Sequence, residues 1–299
     1  MANKTRITVA KPHIINELNK YDIKVFDLDI LNQIFEANKD KWRLPLAMDF
    51  NKFTEALTLQ DFIKYIDFTF PGLTTRRLFF YEDASVYDIS AHIFPKGYLS
   101  HYSAVTNWGL TEQIPKTIYI TLEQSNSPSK SSSSRLLEQQ AIDEAFKKPQ
   151  RQSETFFLHN EYKIVLLRGK HTKNLGVQNL EWKNAGTINI TDIERTLIDI
   201  VVRPSYSGGV FEVLKAFRLA KEKYNVSVNK LSGYLSRLNF IYPYHQAIGF
   251  YLEAAGNYKP SQIELFKNKP KDYDFYLAYE MTEMVYSPDW KLYYPKGMI

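Results

Sequence analysis

The chain has 299 residues, 44% of them hydrophobic and 15% aromatic, which is enough apolar surface for two folded domains. It has no cysteine, which excludes disulfide frameworks, thiolate nucleophiles and Cys-ligated zinc, and its formal charge of +5 permits nucleic-acid binding without being the mark of a strongly basic binder. No window approaches the roughly 18 to 20 apolar residues of a membrane span, and residues 1–11 lack the apolar stretch of a signal peptide, so a cytoplasmic protein with no membrane partner is expected.

Residues 12–21 and 27–42 read as helices, the second with Leu28, Leu31, Ile34 and Phe35 on one face and Asp27 as its N-cap. A third, short helix is expected over 49–57, with Phe50, Phe53 and Leu57 inward and Asn51, Lys52 and Glu55 outward. The period then changes from helical to twofold. Ile66, Phe68 and Phe70 alternate with Tyr65, Asp67 and Thr69, and Pro71-Gly72 turns the chain into a second strand over 73–81. Three helices followed by a β-hairpin is the order of a winged helix. A further helix over 85–94 and the Pro95-Lys96-Gly97 break place a domain boundary between 94 and 95.

The second domain, 95–299, starts with a helix that Ser100 would cap and Gly109 would end, then a strand over 117–122. Residues 125–134 are Ser-rich and read as a mobile loop. A helix follows over 135–148, then strands over 156–167 with a turn at Asn160, and another at 186–190. Thr191 and Glu194 fit a capping box that starts a helix stopped by Pro204, and three amphipathic helices follow, the last closed by Gly256. A terminal hairpin turning at Ser287-Pro288-Asp289 ends the chain. The fold class is therefore α+β: a winged-helix-like head and a larger mixed α/β body.

Chemistry-bearing patterns are sparse. The six histidines show no metal-ligand spacing, no Gly-rich phosphate loop is present, and Gly208-Gly209 reads as a plain turn, so neither metal nor cofactor is expected. Glu161-Tyr162-Lys163, with Asp143 upstream, is the one string with the acidic-x-Lys pattern of Mg²⁺-dependent nucleases. Arg195, Asp199 and Arg203 stand at successive i+4 positions and read as a solvated charge ladder. In the head, geometry would bring Asn51 and Lys52 on the third helix, and Lys64, Thr74, Thr75, Arg76 and Arg77 on the hairpin, to duplex DNA, whereas Phe68, Phe70, Phe79 and Phe80 read as core. The head nevertheless carries no basic excess, most of which lies in residues 96–190. The basic residues Lys147, Lys148, Arg151, Arg168, Lys170, Lys173, Lys215, Arg218 and Lys221 offer positive faces on the body.

Specific strings carry a family resemblance: GYLSHYSAVTNWGLTEQIPKTIYIT at 97–121, ITDIERTLIDIVVRP at 190–204, SGGVFEVLKAFRLAK at 207–221 and YPYHQAIGFYLEAAG at 242–256. Together they resemble the antitoxins of the AbiEi family, over most of residues 85–295. The resemblance implies a non-enzymatic antitoxin of a type IV toxin-antitoxin, abortive-infection system of phage defence. Its winged-helix domain would bind double-stranded operator DNA and repress its own operon. Its C-terminal domain would counteract a nucleotidyltransferase-fold toxin from the adjacent gene, without needing a stable complex. No residue of the body is assigned a role by the resemblance; the basic faces are chosen for antagonism on electrostatic grounds. Two other readings remain at this stage: a nuclease using Asp143, Glu161 and Lys163, and a standalone winged-helix transcription factor or defence adaptor.

Overall fold

A computed structural model describes residues 5–21, 23–81, 84–125, 137–182 and 186–299. The fold is α+β, with a winged-helix-like first unit and a larger mixed second unit. Contacts divide the chain into Met1–Tyr98 with Thr155–Ile164 and Asn179–Asn189, and Leu99–Glu154 with Val165–Gln178 and Ile190–Ile299. The first unit is thus built from three segments, where the sequence suggests one.

In the first unit the order is α1 (Arg6–Leu18), β1 (Val25–Asp27), α2 (Leu28–Asn38), α3 (Phe50–Leu59), β2 (Lys64–Phe68), β3 (Arg76–Phe80) and α4 (Val86–Ala91). Thr5 caps α1, whose buried stripe Ile7, Ala10, Ile14 and Leu18 begins before Pro12, so the proline lies inside the helix instead of opening it. Asp27 caps α2 through a 2.8 Å bond from the Ile30 amide. The helix stops at Asn38, and Trp42 reaches the core from a turn in which Arg43 is left-handed (φ 51°), stacking on Phe53 at 5.7 Å. Strand β1 was not expected: three residues are too few to show a twofold period. It pairs antiparallel with β3, which pairs with β2, giving the sheet order β1-β3-β2.

The remaining elements, all of the second unit except β6 and parts of β4, β7, β8 and β9, are β4 (Tyr98–Leu99), α5 (His101–Asn107), β5 (Thr117–Glu123), α6 (Gln139–Phe146), β6 (Phe156–His159), β7 (Tyr162–Gly169), β8 (Val177–Trp182), β9 (Gly186–Thr191), α7 (Ile193–Val202), α8 (Val210–Lys223), α9 (Val228–Leu238), α10 (Tyr244–Ala255), α11 (Pro260–Lys267), β10 (Phe275–Tyr276), β11 (Met284–Ser287) and β12 (Leu292–Pro295). Several of these strands run past the division between units. Strand order is β6-β7-β5-β4-β9-β8 in the larger sheet and β10-β12-β11 in the small one, whose β11-β12 hairpin is antiparallel. Residues 126–134 of the Ser-rich segment lie outside the described residues.

Helix α7 is the centre of this unit, packed against α5, α8, α9 and α10. Its cap is Asp192, not Thr191: Asp192 accepts from the Arg195 amide, while Glu194 turns away to the Ser227 amide and the Lys230 ammonium. On α10, a Cβ on Gly249 would fall 2.1 Å from the ring of the fully buried Trp290, so glycine is required there for close approach. Among the described residues no helix is long and apolar enough to cross a membrane.

Candidate functional site

The first candidate site is the α3 and hairpin face of the first unit. Asp49 caps α3, and its outward face exposes Asn51, Lys52, Glu55 and the apolar Leu59. The Lys52 ammonium is held by its own helix start, 3.0 Å from the Ala47 carbonyl and 3.2 Å from Asp49. Thr74 and Thr75 are exposed at the hairpin turn, where Thr75 shares a 2.9 Å bond with Thr69. Arg76 and Arg77 fall on opposite faces of β3. Arg77 is exposed and forms a bidentate pair with Asp67 directly across the strand pair, both distances 2.7 Å, with its guanidinium 4.3 Å from the Tyr65 ring. That pair holds the Asp67 carboxyl below its ordinary pKa. Arg76 is half-buried opposite Phe68, its Nε without a hydrogen-bond partner. Lys64 lies at the far end of the strand pair, lining a separate cavity with Lys11, Lys24 and Asp61. The seven predicted residues thus occupy three places: the start of α3, the hairpin, and the base of β2. Phe68, Phe70 and Phe79 are buried, as strand spacing predicts, whereas Phe80, next to Phe79 and on the other face of β3, is only half-buried.

The second candidate site is an open cavity of about 740 Å³ lined by the second unit alone. Three of the nine predicted body residues, Arg151, Arg168 and Lys170, come together in its lining; Lys147, Lys148 and Lys173 are exposed elsewhere, and Lys215, Arg218 and Lys221 belong to α8. Arg195 and Arg203 join them, against a single lining acid, Asp199. The solvated ladder expected on α7 is therefore incorrect. Arg195 and Asp199 are buried at 7% and 6% exposure, paired at 2.8 Å, because α7 is covered on every side.

The rim segment 150–153 has no regular structure but is fixed at several points. Gln150 donates to the Val202 carbonyl, Arg203 Nη1 donates to the Arg151 carbonyl at 2.8 Å, and the Ser153 amide donates to the Tyr206 hydroxyl at 2.7 Å. Lys170 Nζ spans the end of α9, 3.2 Å from the Leu238 carbonyl, where Asn239 is left-handed (φ 45°). Four aromatic side chains also line the cavity, Phe240, Tyr242, Tyr244 and Tyr279, of which Tyr244 is buried and Tyr279 has one face stacked on Phe146 at 4.2 Å.

His101 lines the same cavity, edge-on to Tyr206 at 5.5 Å and itself left-handed (φ 51°). Ser100 does not cap α5; its hydroxyl instead bridges His101 Nδ1 at 2.9 Å and the Thr121 hydroxyl at 2.7 Å, all three residues buried. Burial pushes the imidazole pKa down to about 4, assisted by the charges of Arg195 and Arg203 and opposed by Asp199, so the ring is neutral at pH 7. His101, Arg203 and the tyrosines escaped sequence reasoning as a group because they come from separated segments with no shared spacing.

The acidic-x-Lys pattern gains no metal-binding geometry. Asp143 accepts from Gln139 and from the Tyr276 hydroxyl, and Lys163 lies 4.3 Å over the Phe156 ring. Asp143 belongs to the second unit, Glu161 and Lys163 to the first.

No protein-family model matches the chain, and no curated protein matches it. Among solved structures it is similar to the Rv2827c protein of Mycobacterium tuberculosis, with a TM-score of 0.55 at 14% identity, over 95% of this chain and 91% of that one. At that identity the likeness is one of fold.

Proposed function

We propose that the chain is an antitoxin of the AbiEi type, a non-enzymatic cytoplasmic regulator. Its first unit binds duplex DNA upstream of its own gene, and its second unit counteracts a nucleotidyltransferase-fold toxin encoded beside it. The observation that carries the DNA-binding half is topological. The order α1-β1-α2-α3-β2-β3, with β3 between β1 and β2, is the winged-helix arrangement, and it leaves the polar face of α3 and the hairpin turn exposed together. A fold alone does not fix a function, so the assignment rests also on the family-like strings, which lie on β4, α5, β5, α7, α8 and α10.

On this reading Asn51 and Lys52 approach base edges while Thr74, Thr75 and Arg77 meet phosphates. The near-neutral head makes the electrostatic contribution small, so recognition depends on few contacts and on low salt. The test is a mobility shift with the upstream DNA against random duplex at low salt. A preference for the upstream DNA is expected; equal affinity for both would remove the repressor half of the proposal.

A further inference from the structure

We infer that the cavity of the second unit is a binding site for a free nucleotide, its phosphates on the Arg151, Arg168 and Lys170 rim and its base against Tyr242 and Tyr279. A volume of about 740 Å³ is that of a small-molecule site, not of a packing defect. Its lining carries five cationic side chains and one acid, and that acid is already committed to Arg195. Among the described residues, Arg151 and Arg168 are exposed and have no carboxylate in ion-pair range, and Lys170 is satisfied only by carbonyls. Unpaired cations around a concave, partly apolar site favour an anion, and the planar guanidinium fork matches phosphate oxygens.

The rest of the lining distinguishes a nucleotide from a simple polyanion. Ordinary anion sites need donors only, whereas here part of the lining is aromatic, and the exposed Ile241 (79%) extends it with an apolar lip. Aromatic faces stack on bases with little dependence on base identity. The backbone that carries Arg151 is also set before any ligand arrives. The bonds from Gln150, Arg203 and Ser153 hold the 150–153 backbone in place, so at Arg151 only the side chain remains to be ordered on binding. Deeper in the lining, Asp199 Oδ2 is buried with no hydrogen-bond partner, an acceptor available to a ribose hydroxyl or a base amine. Occupancy of this cavity is independent of DNA binding by the first unit.

The experiment is calorimetric titration of the full chain with ATP, GTP, CTP and UTP, and in parallel with inorganic tripolyphosphate, the four nucleosides, and a 5′-phosphorylated single-stranded oligonucleotide. Saturable binding of at least one nucleoside triphosphate is expected, tighter than tripolyphosphate and tighter than its nucleoside. Arg151→Ala with Arg168→Ala should weaken it at least about tenfold, as loss of two charged hydrogen bonds requires. Both residues are exposed, and a melting curve checks that the variant is folded. No saturable binding by any triphosphate overturns the inference, as does an unchanged affinity in the folded double variant. Equal binding of tripolyphosphate overturns the aromatic half of it, and tighter binding of the oligonucleotide would assign the cavity to a strand end.

Discussion

Arg195 and Asp199, one turn apart on α7, form a buried ion pair in which Nε donates to Oδ1 at 2.8 Å and the Arg195 Nη1 donates on to the Leu175 carbonyl at 2.6 Å. Removing one member of such a pair strands the other charge in a low-dielectric interior, whereas replacing both with apolar groups does not. Asp199→Ala is therefore expected to destabilise the chain by about 3–5 kcal/mol. The double substitution Arg195→Met, Asp199→Leu should lie closer to the wild type, with the freed Leu175 carbonyl contributing to its deficit. Urea unfolding of the three variants decides this; a double variant as unstable as Asp199→Ala would mean that stranded charge is not the cause.

His101 gives the second unit a pH dependence with a definite sign. The folded pKa of about 4 lies below the ordinary 6.5, so between these values the unfolded chain takes up a proton that the folded chain refuses. Stability from this group is complete above about pH 6.5, falls as the pH drops towards 4, and changes no further below that. The full amount is of the order of 3 kcal/mol. Asparagine tolerates the left-handed backbone at this position, so His101→Asn removes the titration with little backbone strain. Between pH 7 and pH 4 the wild type should lose about 3 kcal/mol relative to this variant. Parallel stability profiles would show that the imidazole charges as freely as in the unfolded chain.

The bidentate pair between Arg77 and Asp67 bears on DNA binding by the proposed wing. An exposed pair of this kind adds little to stability, so either partner can be removed without unfolding the head. If Arg77 meets a phosphate, Arg77→Ala weakens binding about equally on all sequences and reduces the log-log salt slope by roughly 0.9. Asp67→Ala, which removes a carboxylate beside that phosphate, should strengthen binding at low salt. Arg76→Ala should leave the slope unaltered, because Arg76 is half-buried on the other face. Slopes unchanged by Arg77→Ala would place the hairpin away from the duplex.

The winged-helix-like head was legible because its hydrophobic period changes from helical to twofold at Phe62, and because Asp27 and Asp49 are side-chain caps recognisable without tertiary context. Strand β1 was not, since Val25 and Phe26 acquire their role only by pairing with Phe80 and Phe79. The same limit hid the body's cavity. Arg195 and Asp199 have the spacing of a surface ladder, and only the helices around α7 make them a buried pair. Arg151, Arg168 and Lys170 were visible as basic residues but indistinguishable from Lys147 and Lys173, because what separates them is the cavity they line together with aromatic residues about 70 or more positions away. Charge is written in the sequence; its desolvation and its pairing are set by the fold.

That distinction decides where the proposed toxin antagonism should be sought. On α8, Lys215 is paired with Glu112 at 2.7 Å, Arg218 donates to the Ala254 carbonyl, and Lys221 lies 5.6 Å over the Tyr258 ring. Of these cations only Lys215 has its charge countered by a carboxylate, while Arg218 and Lys221 are held against a neutral carbonyl and a ring, so the field of α8 is reduced mainly at Lys215. Arg151 and Arg168 have no such partner among the described residues and project a stronger one. If the adjacent gene encodes the proposed toxin, the full chain should restore growth of cells expressing it, and Lys215→Ala, Arg218→Ala, Lys221→Ala should restore it nearly as well. Arg151→Glu with Arg168→Glu should fail. A parallel Lys147→Glu, Lys148→Glu variant, which alters exposed charge outside the cavity, should retain rescue and so separate the cavity rim from a general need for positive charge. Surface substitutions of this kind usually change stability by less than about 0.5 kcal/mol each, and circular dichroism with a melting curve verifies that every variant is folded. Loss of rescue by the folded α8 variant, with rescue intact in the Arg151 and Arg168 variant, would move antagonism to α8 and away from the cavity.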